Sequence, residues 1–322
     1  MPVNQRGATM YASTRVTRST SHLELEAPGT GRELKSPRHR PPPSRVSKLP
    51  VEILDHIFQS LTLPDLFQLL LVNSSLHFVA LRILYRSISF LRPTQSIACM
   101  RCLCRNPILP ALVRELEVVV PIRFPTGNVY RLLHMTLKNM TGLVSLSLSL
   151  SNHYYPAWIL NDCTFSLKKF TTSIPCDASL SRFLDTQPHI TDLSLRGFPK
   201  YTYSTSQTTL SSSSSAFSNT FTLLPGSLPR LTHFHVIHAG PSILTSVSLG
   251  RPLQNVSIPL FADSAYESLD ALGLASCTIR RLRIMSFDRH SPDYLLPQVA
   301  KRFPELEALD IVILMAQHTM VT

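Results

Sequence analysis

The chain has 322 residues, 44% of them hydrophobic and 16% charged, with a formal net charge of +11. That length predicts two folded units plus a tail, and polar groups interrupt every apolar stretch before the roughly 18 residues that a membrane-crossing helix needs. No apolar run near Met1 reads as a secretory signal, so the six cysteines are expected as free thiols in a reducing compartment, cytoplasmic or nuclear.

The charge is unevenly spread. Residues 1–48 hold nine Lys and Arg against Glu24, Glu26 and Glu33, a balance of +6 that leaves only +5 for the rest. Rich in Ser, Thr, Pro and Arg, residues 1–46 are expected as a disordered basic tail. Pro41, Pro42 and Pro43 form a stiff spacer ahead of the first folded element.

Residues 49–88 predict three short amphipathic helices. Pro50 suits the opening of a helix, where its missing N–H would have no partner anyway. Ile53, Ile57 and Leu61 recur every four residues with Leu54 and Phe58 beside them, giving one broad apolar stripe. Pro64 and Asp65 start a second helix bearing Leu66, Leu69, Leu70 and Val72. Asn73, Ser74 and Ser75 then offer N-cap groups to a third. That helix sets Leu76, Val79, Ala80, Ile83 and Leu84 at i, i+3, i+4, i+7, i+8 spacing. So small a unit is marginal alone and needs a partner surface.

These residues resemble the F-box, and Ala80 to Ile88 look like F-box proteins of basidiomycete fungi. The resemblance covers residues 47–90 and implies docking to the Skp adaptor, and through it to cullin. By resemblance the adaptor-binding positions are Leu49, Pro50, Ile53, Ile57, Leu61, Leu66, Leu69 and Val72. The chain departs from the family pattern after Val72, where many F-boxes carry Cys-Arg-x-Trp and this one has Asn73 to Leu76.

Residues 91–112 are expected as a connecting helical segment, with Cys99 and Cys102 on its buried face. Cys99, Cys102 and Cys104 lack a fourth ligand at suitable spacing for a closed zinc site, so no metal is expected. From residue 113 a phrase recurs: apolar, two variable, apolar, one variable, apolar. It starts at Val113, Leu143, Leu167, Ile190, Leu231, Leu253, Ile279 and Leu306, at intervals of 30, 24, 23, 41, 22, 26 and 27 residues. Helical stretches at 130–137, 180–184 and 294–303 precede several of the phrases. The pattern resembles irregular leucine-rich repeats. It implies an α/β repeat fold over residues 113–322, a solenoid with a parallel concave sheet. The long interval contains a Ser/Thr-rich stretch, 201–222, expected as a flexible insertion.

Strand alternation sends the fourth and sixth phrase residues inward and the third, fifth and seventh outward. The outward positions include His233, His235, Arg281 and Arg283, a basic sector suited to an acidic or phosphorylated segment of an unknown protein substrate. The last phrase is followed by few residues, so an exposed final repeat, a truncated chain or a gene model that ends early is expected. No G-x-S-x-G or H-E-x-x-H string occurs, and ten glycines offer few nucleotide-cradling turns. The expectation is therefore a non-catalytic receptor without cofactor: the substrate-recognition subunit of a Skp–cullin–F-box ubiquitin ligase. The alternatives are a scaffold outside any ligase, and, less favoured, a basic nucleic-acid-associated protein.

Overall fold

A computed structural model describes residues 49–90, 93–120, 127–150, 157–197, 221–261, 264–286 and 291–313. The expectations for the basic tail and for 201–220 lie outside the described residues, as does the chain after 313. The chain divides into two compact units, the first ending at Leu84 and the second beginning at Tyr85.

The first unit contains α1 (Val51–Gln59), α2 (Leu63–Leu69) and most of α3 (Ser74–Arg86). Its core is Leu54 and Phe58 of α1, Leu66 of α2, and Leu76, Val79, Ala80 and Leu84 of α3. Asn73 caps α3, its Oδ1 accepting from the Leu76 N–H at 2.8 Å. Arg82 pairs with Asp55 at 2.9 Å and ties α3 to α1. The broad stripe expected on α1 is in fact two faces. Leu54 and Phe58 point inward, whereas Ile53 and Ile57, one residue and about 100° away, are exposed. Leu76, standing where the family often has an aromatic, is buried.

The second unit is built on one sheet of nine strands among the described residues, all parallel and in sequential order. The strands are β1 (Ser87–Phe90), β2 (Glu115–Val120), β3 (Ser145–Leu150), β4 (Lys169–Thr172), β5 (Asp192–Leu195), β6 (His233–Val236), β7 (Asn255–Leu260), β8 (Arg281–Ser286) and β9 (Ala308–Ile313). The crossovers carry α4 (Pro93–Arg105), α5 (Ile108–Leu112), α6 (Gly127–Asn139), a 3-10 turn at Ala157–Leu160, α7 (Ala178–Asp185), α8 (Pro241–Ser248), α9 (Ala265–Leu272) and α10 (Ser291–Arg302).

Every strand from β2 to β9 begins at the third residue of a phrase, and all pair without offset: Leu116 opposite Leu146, Leu146 opposite Phe170, Val256 opposite Leu282. The second phrase residue binds the repeats together. Its carbonyl accepts from two successive N–H groups of the next repeat, as Val144 O does from Lys168 and Lys169, and Gln254 O from Arg280 and Arg281. Fourth and sixth positions are buried from β1 to β8, each contributing roughly 1.5–3 kcal/mol for a full-sized apolar side chain. In β9 the corresponding Leu309 and Ile311 are half-buried.

Two boundaries differ from expectation. The sheet begins at Ser87, not near 113, because Tyr85, Ile88 and Phe90 repeat the phrase with an aromatic in its first position, and Ser87 pairs opposite Glu115. Residues 47–90 therefore enclose β1, a strand of the second unit. The insertion also stops short of 222, since Phe221 is buried.

Between β5 and β6 the described part of the crossover, 221–232, contains no helix, and Arg251 supplies much of its order. Only 3% exposed, it donates to the carbonyls of Ser246 (2.6 Å), Val247 (3.2 Å) and Leu249 (3.2 Å) at the end of α8. It also reaches back to Ser227 O (2.9 Å), Ser227 Oγ (2.8 Å) and Leu224 O (3.3 Å). One guanidinium thus satisfies the orphan carbonyls of a helix C-terminus, where a cation is favoured, and fixes the turn that carries Leu228 at φ 54°. That left-handed conformation costs a residue with a Cβ about 1–2 kcal/mol. Arg251→Ala is expected to destabilise the chain by about 3 kcal/mol, since several buried carbonyls lose their donor. Arg251→Lys, with fewer donors in a less suitable geometry, should recover only part of that. Urea denaturation of the purified chain checks both, and an Ala variant as stable as wild type would contradict the role.

Candidate functional site

Two surfaces present side chains that the cores do not use. On the first unit, Ile53 and Ile57 are 49% and 44% exposed on the outer side of α1, with Leu49, Pro50 and Val51 exposed just ahead of them. Beyond α2, Val72 is 62% exposed. Leu61 and Leu69 are half-buried. Leu66 stands apart from the other expected contact residues: at 4% exposure it belongs to the core, and the exposed surface excludes it. Phe67, Leu71 and Phe78 are exposed apolar residues that the sequence reading did not single out. The signal was present for the first two, since Phe67 and Leu71 share an i, i+4 face next to that of Leu66 and Leu70.

On the second unit, outward side chains of β3 to β9 surround a depression of about 680 Å³. His233, His235, Arg281 and Arg283 all line it, together with Lys169, Asp192 and Asp310. In-register pairing forms two rows across the sheet. One runs Lys169, Asp192, His233, Asn255, Arg281, and the other Thr171, Ser194, His235, Ser257, Arg283, Asp310.

The four expected residues are not equivalent. His233 is held on both ring nitrogens, with Asn255 Nδ2 at 2.9 Å from Nε2 and Thr232 Oγ1 at 2.9 Å from Nδ1. Asp192 lies 3.8 Å from that Nδ1. Arg283 donates to Asp310 Oδ2 from Nε at 3.2 Å and Nη2 at 2.9 Å, an exposed pair worth little to stability. The Arg281 guanidinium has no hydrogen-bond or ion-pair partner among the described residues, and the residue is exposed. Burial holds the His235 imidazole below its ordinary pKa, and the positive charges of Arg196 and Arg283 add to the effect. The basic sector is therefore partly neutralised already, and Lys169, Arg196 and Arg281 carry its uncommitted charge.

The cysteines are dispersed. Cys99 is half-buried and Cys102 exposed, so the expected buried face of α4 holds only the first of them. Burial, with Cys102 nearby, pushes the Cys99 thiol up to about 11. Burial likewise pushes Cys163, beside Asp162, and Cys176, beside Asp177, up to about 12.

Residues 46–91 match the F-box-like family. No curated protein matches the chain. The chain thus carries an F-box-like domain, followed by an α/β region with a parallel sheet of nine strands. Among the described residues no helix is long and apolar enough to cross a membrane.

Because thiolate is the reacting species, brief alkylation at pH 7.5 should modify Cys102 and Cys277, both exposed, well before Cys99, Cys163 or Cys176. Peptide mapping by mass spectrometry reads the order, and early labelling of Cys176 would contradict it.

Proposed function

We propose that this chain is the substrate-recognition subunit of a Skp–cullin–F-box ubiquitin ligase. It is read as an F-box protein with irregular leucine-rich repeats, similar to those of basidiomycete fungi, acting in the cytoplasm or nucleus. The F-box-like domain docks the Skp adaptor, which F-box domains generally bind, and the adaptor joins it to cullin. The second unit is a leucine-rich-repeat-like solenoid that holds a target protein on its outward sheet face. Its sequential parallel strands, each starting at the third residue of a phrase, support that reading.

The observation that carries the proposal is the split of α1 into two apolar faces. Leu54 and Phe58 complete the core, while Ile53 and Ile57 keep 49% and 44% of their surface exposed and available to a partner. Fully burying such a side chain contributes roughly 1.5–3 kcal/mol. In this reading the chain performs no chemistry, and transfer is accelerated by proximity of the target to the charged enzyme.

Ile53→Asp and Ile57→Asp each place a charge on the docking face without touching the core. Co-purification with the Skp adaptor is expected to fall at least about tenfold in each, with thermal stability unchanged. Unaltered adaptor binding in both would overturn the adaptor reading. For the target face, Arg281→Glu with Arg283→Glu should change the set of proteins captured when the proteasome is blocked, and an unchanged set would remove that assignment.

A further inference from the structure

The outward face of β4 to β9 carries more fixed positive than negative charge. Lys169, Arg196, Arg281 and Arg283 stand against Asp192 and Asp310, a surplus of two. Arg196 is exposed and continues the outward row of β5, its N–H bonded to Thr172 O at 2.7 Å.

His235 is half-buried within this surplus. Its in-register neighbours are Ser194 on β5 and Ser257 on β7, with Arg283 one strand further. The Ser194 and Ser257 hydroxyl oxygens are closed off from solvent and have no hydrogen-bond partner among the described residues. Neither therefore bonds the His235 ring in this structure. The charged and titratable groups that line the depression with His235 are Lys169 from β4, Asp192 from β5, His233 from its own strand, Arg281 and Arg283 from β8 and Asp310 from β9, and the charge of Arg196, just past β5, also acts on it. β7 presents only uncharged Asn255 and Ser257. Asp192 is engaged elsewhere, accepting from Thr191 Oγ1 at 2.6 Å and lying nearest His233. Asp310 on β9 is engaged by Arg283, whose two bonds to it leave three of five N–H donors unused. His238, beyond the end of β6, is the other nearby imidazole, and burial lowers its pKa too.

We propose that this face holds an anion subsite centred on His235, with Arg196 and Arg283 as its fixed cations, which takes a carboxylate or phosphate of an acidic polypeptide segment and loads a proton onto His235 as it binds. The proposal rests on the outward face being the target-binding surface. An incoming anion offsets the repulsion from the two guanidiniums and supplies the acceptor that the imidazole lacks, so the protonated form becomes the favoured one. Binding then takes up a proton, and by linkage affinity rises as pH falls, by at most about tenfold per pH unit. Outward positions of β4 to β9 hold no Phe, Tyr or Trp. Single-stranded nucleic-acid sites draw much of their affinity from base stacking on such rings, and their absence here favours a polypeptide as the source of the anion.

The test uses the full chain and two fluorescein-labelled peptides of one sequence, one bearing glutamates and the other phosphoserines at the same positions. Phosphoserine itself titrates near pH 6, so the pH series is read on the glutamate peptide. Its dissociation constant is expected to fall about five- to tenfold between pH 7.5 and 6.0 in wild type and in His233→Gln and His238→Gln. In His235→Gln the dependence should vanish, with binding at pH 6.0 no tighter than at pH 7.5. Arg196→Gln, a change at an exposed site, should weaken binding several-fold throughout. Whichever peptide binds more tightly at pH 7.5 names the source of the anion, and either order supports the subsite. Flat binding in wild type, an unchanged slope in His235→Gln, or tighter binding of a single-stranded oligonucleotide than of both peptides would overturn it. A flat slope combined with an altered set of partners in the Arg281 and Arg283 variant would sink the subsite and leave the target face standing.

Discussion

The second unit depends on zero-offset pairing between successive parallel strands. A strand alternates its side chains with a period of two, so a slip of one residue would turn every apolar side chain outward. Here the fourth and sixth phrase residues are buried together from β1 to β8, and the second residue's carbonyl accepts the same two N–H groups at each junction from β2 onward. Because these positions are locked, third and fifth residues line up as continuous rows on the other face. Residues distant in sequence, such as Lys169 and Arg281, thereby line one depression.

That regularity tolerates irregular crossovers, because the sheet asks only that each connection return the chain to the next strand in register. Helices of five to thirteen residues and a 3-10 turn all serve. Buried polar groups also order the crossovers, most of all in 221–232, where the described residues form no helix. Arg251 bridges the end of α8 to the 224–227 turn. Gln187 does something similar two repeats earlier, its Oε1 accepting from Leu167 N at 3.0 Å and its Nε2 donating to Phe165 O at 3.3 Å. Asp177 caps α7 through the N–H groups of Ser179 and Leu180.

The F-box-like unit solves a different problem. Three helices of this length enclose few side chains, and its core is one small set drawn from all three. Apolar residues in excess of that core remain on the outside, as Ile53, Ile57, Leu71 and Val72 do. That excess is what gives the unit a surface to offer.

Much of this was legible in the sequence. The three helices, the eight phrases and the inward and outward sides of β2 to β9 follow from periodicity, because backbone geometry alone sets periods of 3.6 and 2. The first strand was missed because Tyr85 occupies its leading apolar position and the helix pattern of α3 runs up to it. Periodicity also could not divide the α1 stripe, since Ile53 and Leu54 are equally apolar and only the position of α2 and α3 determines which is enclosed. For the outward rows, the sequence named the residues and their face but not their state. That Arg283 is engaged by Asp310, that His233 is fixed by Asn255, and that Arg281 is uncommitted depend on which strands become neighbours. Such pairings lie 22 to 27 residues apart in the chain, at separations where local pattern carries no information and only the tertiary register decides.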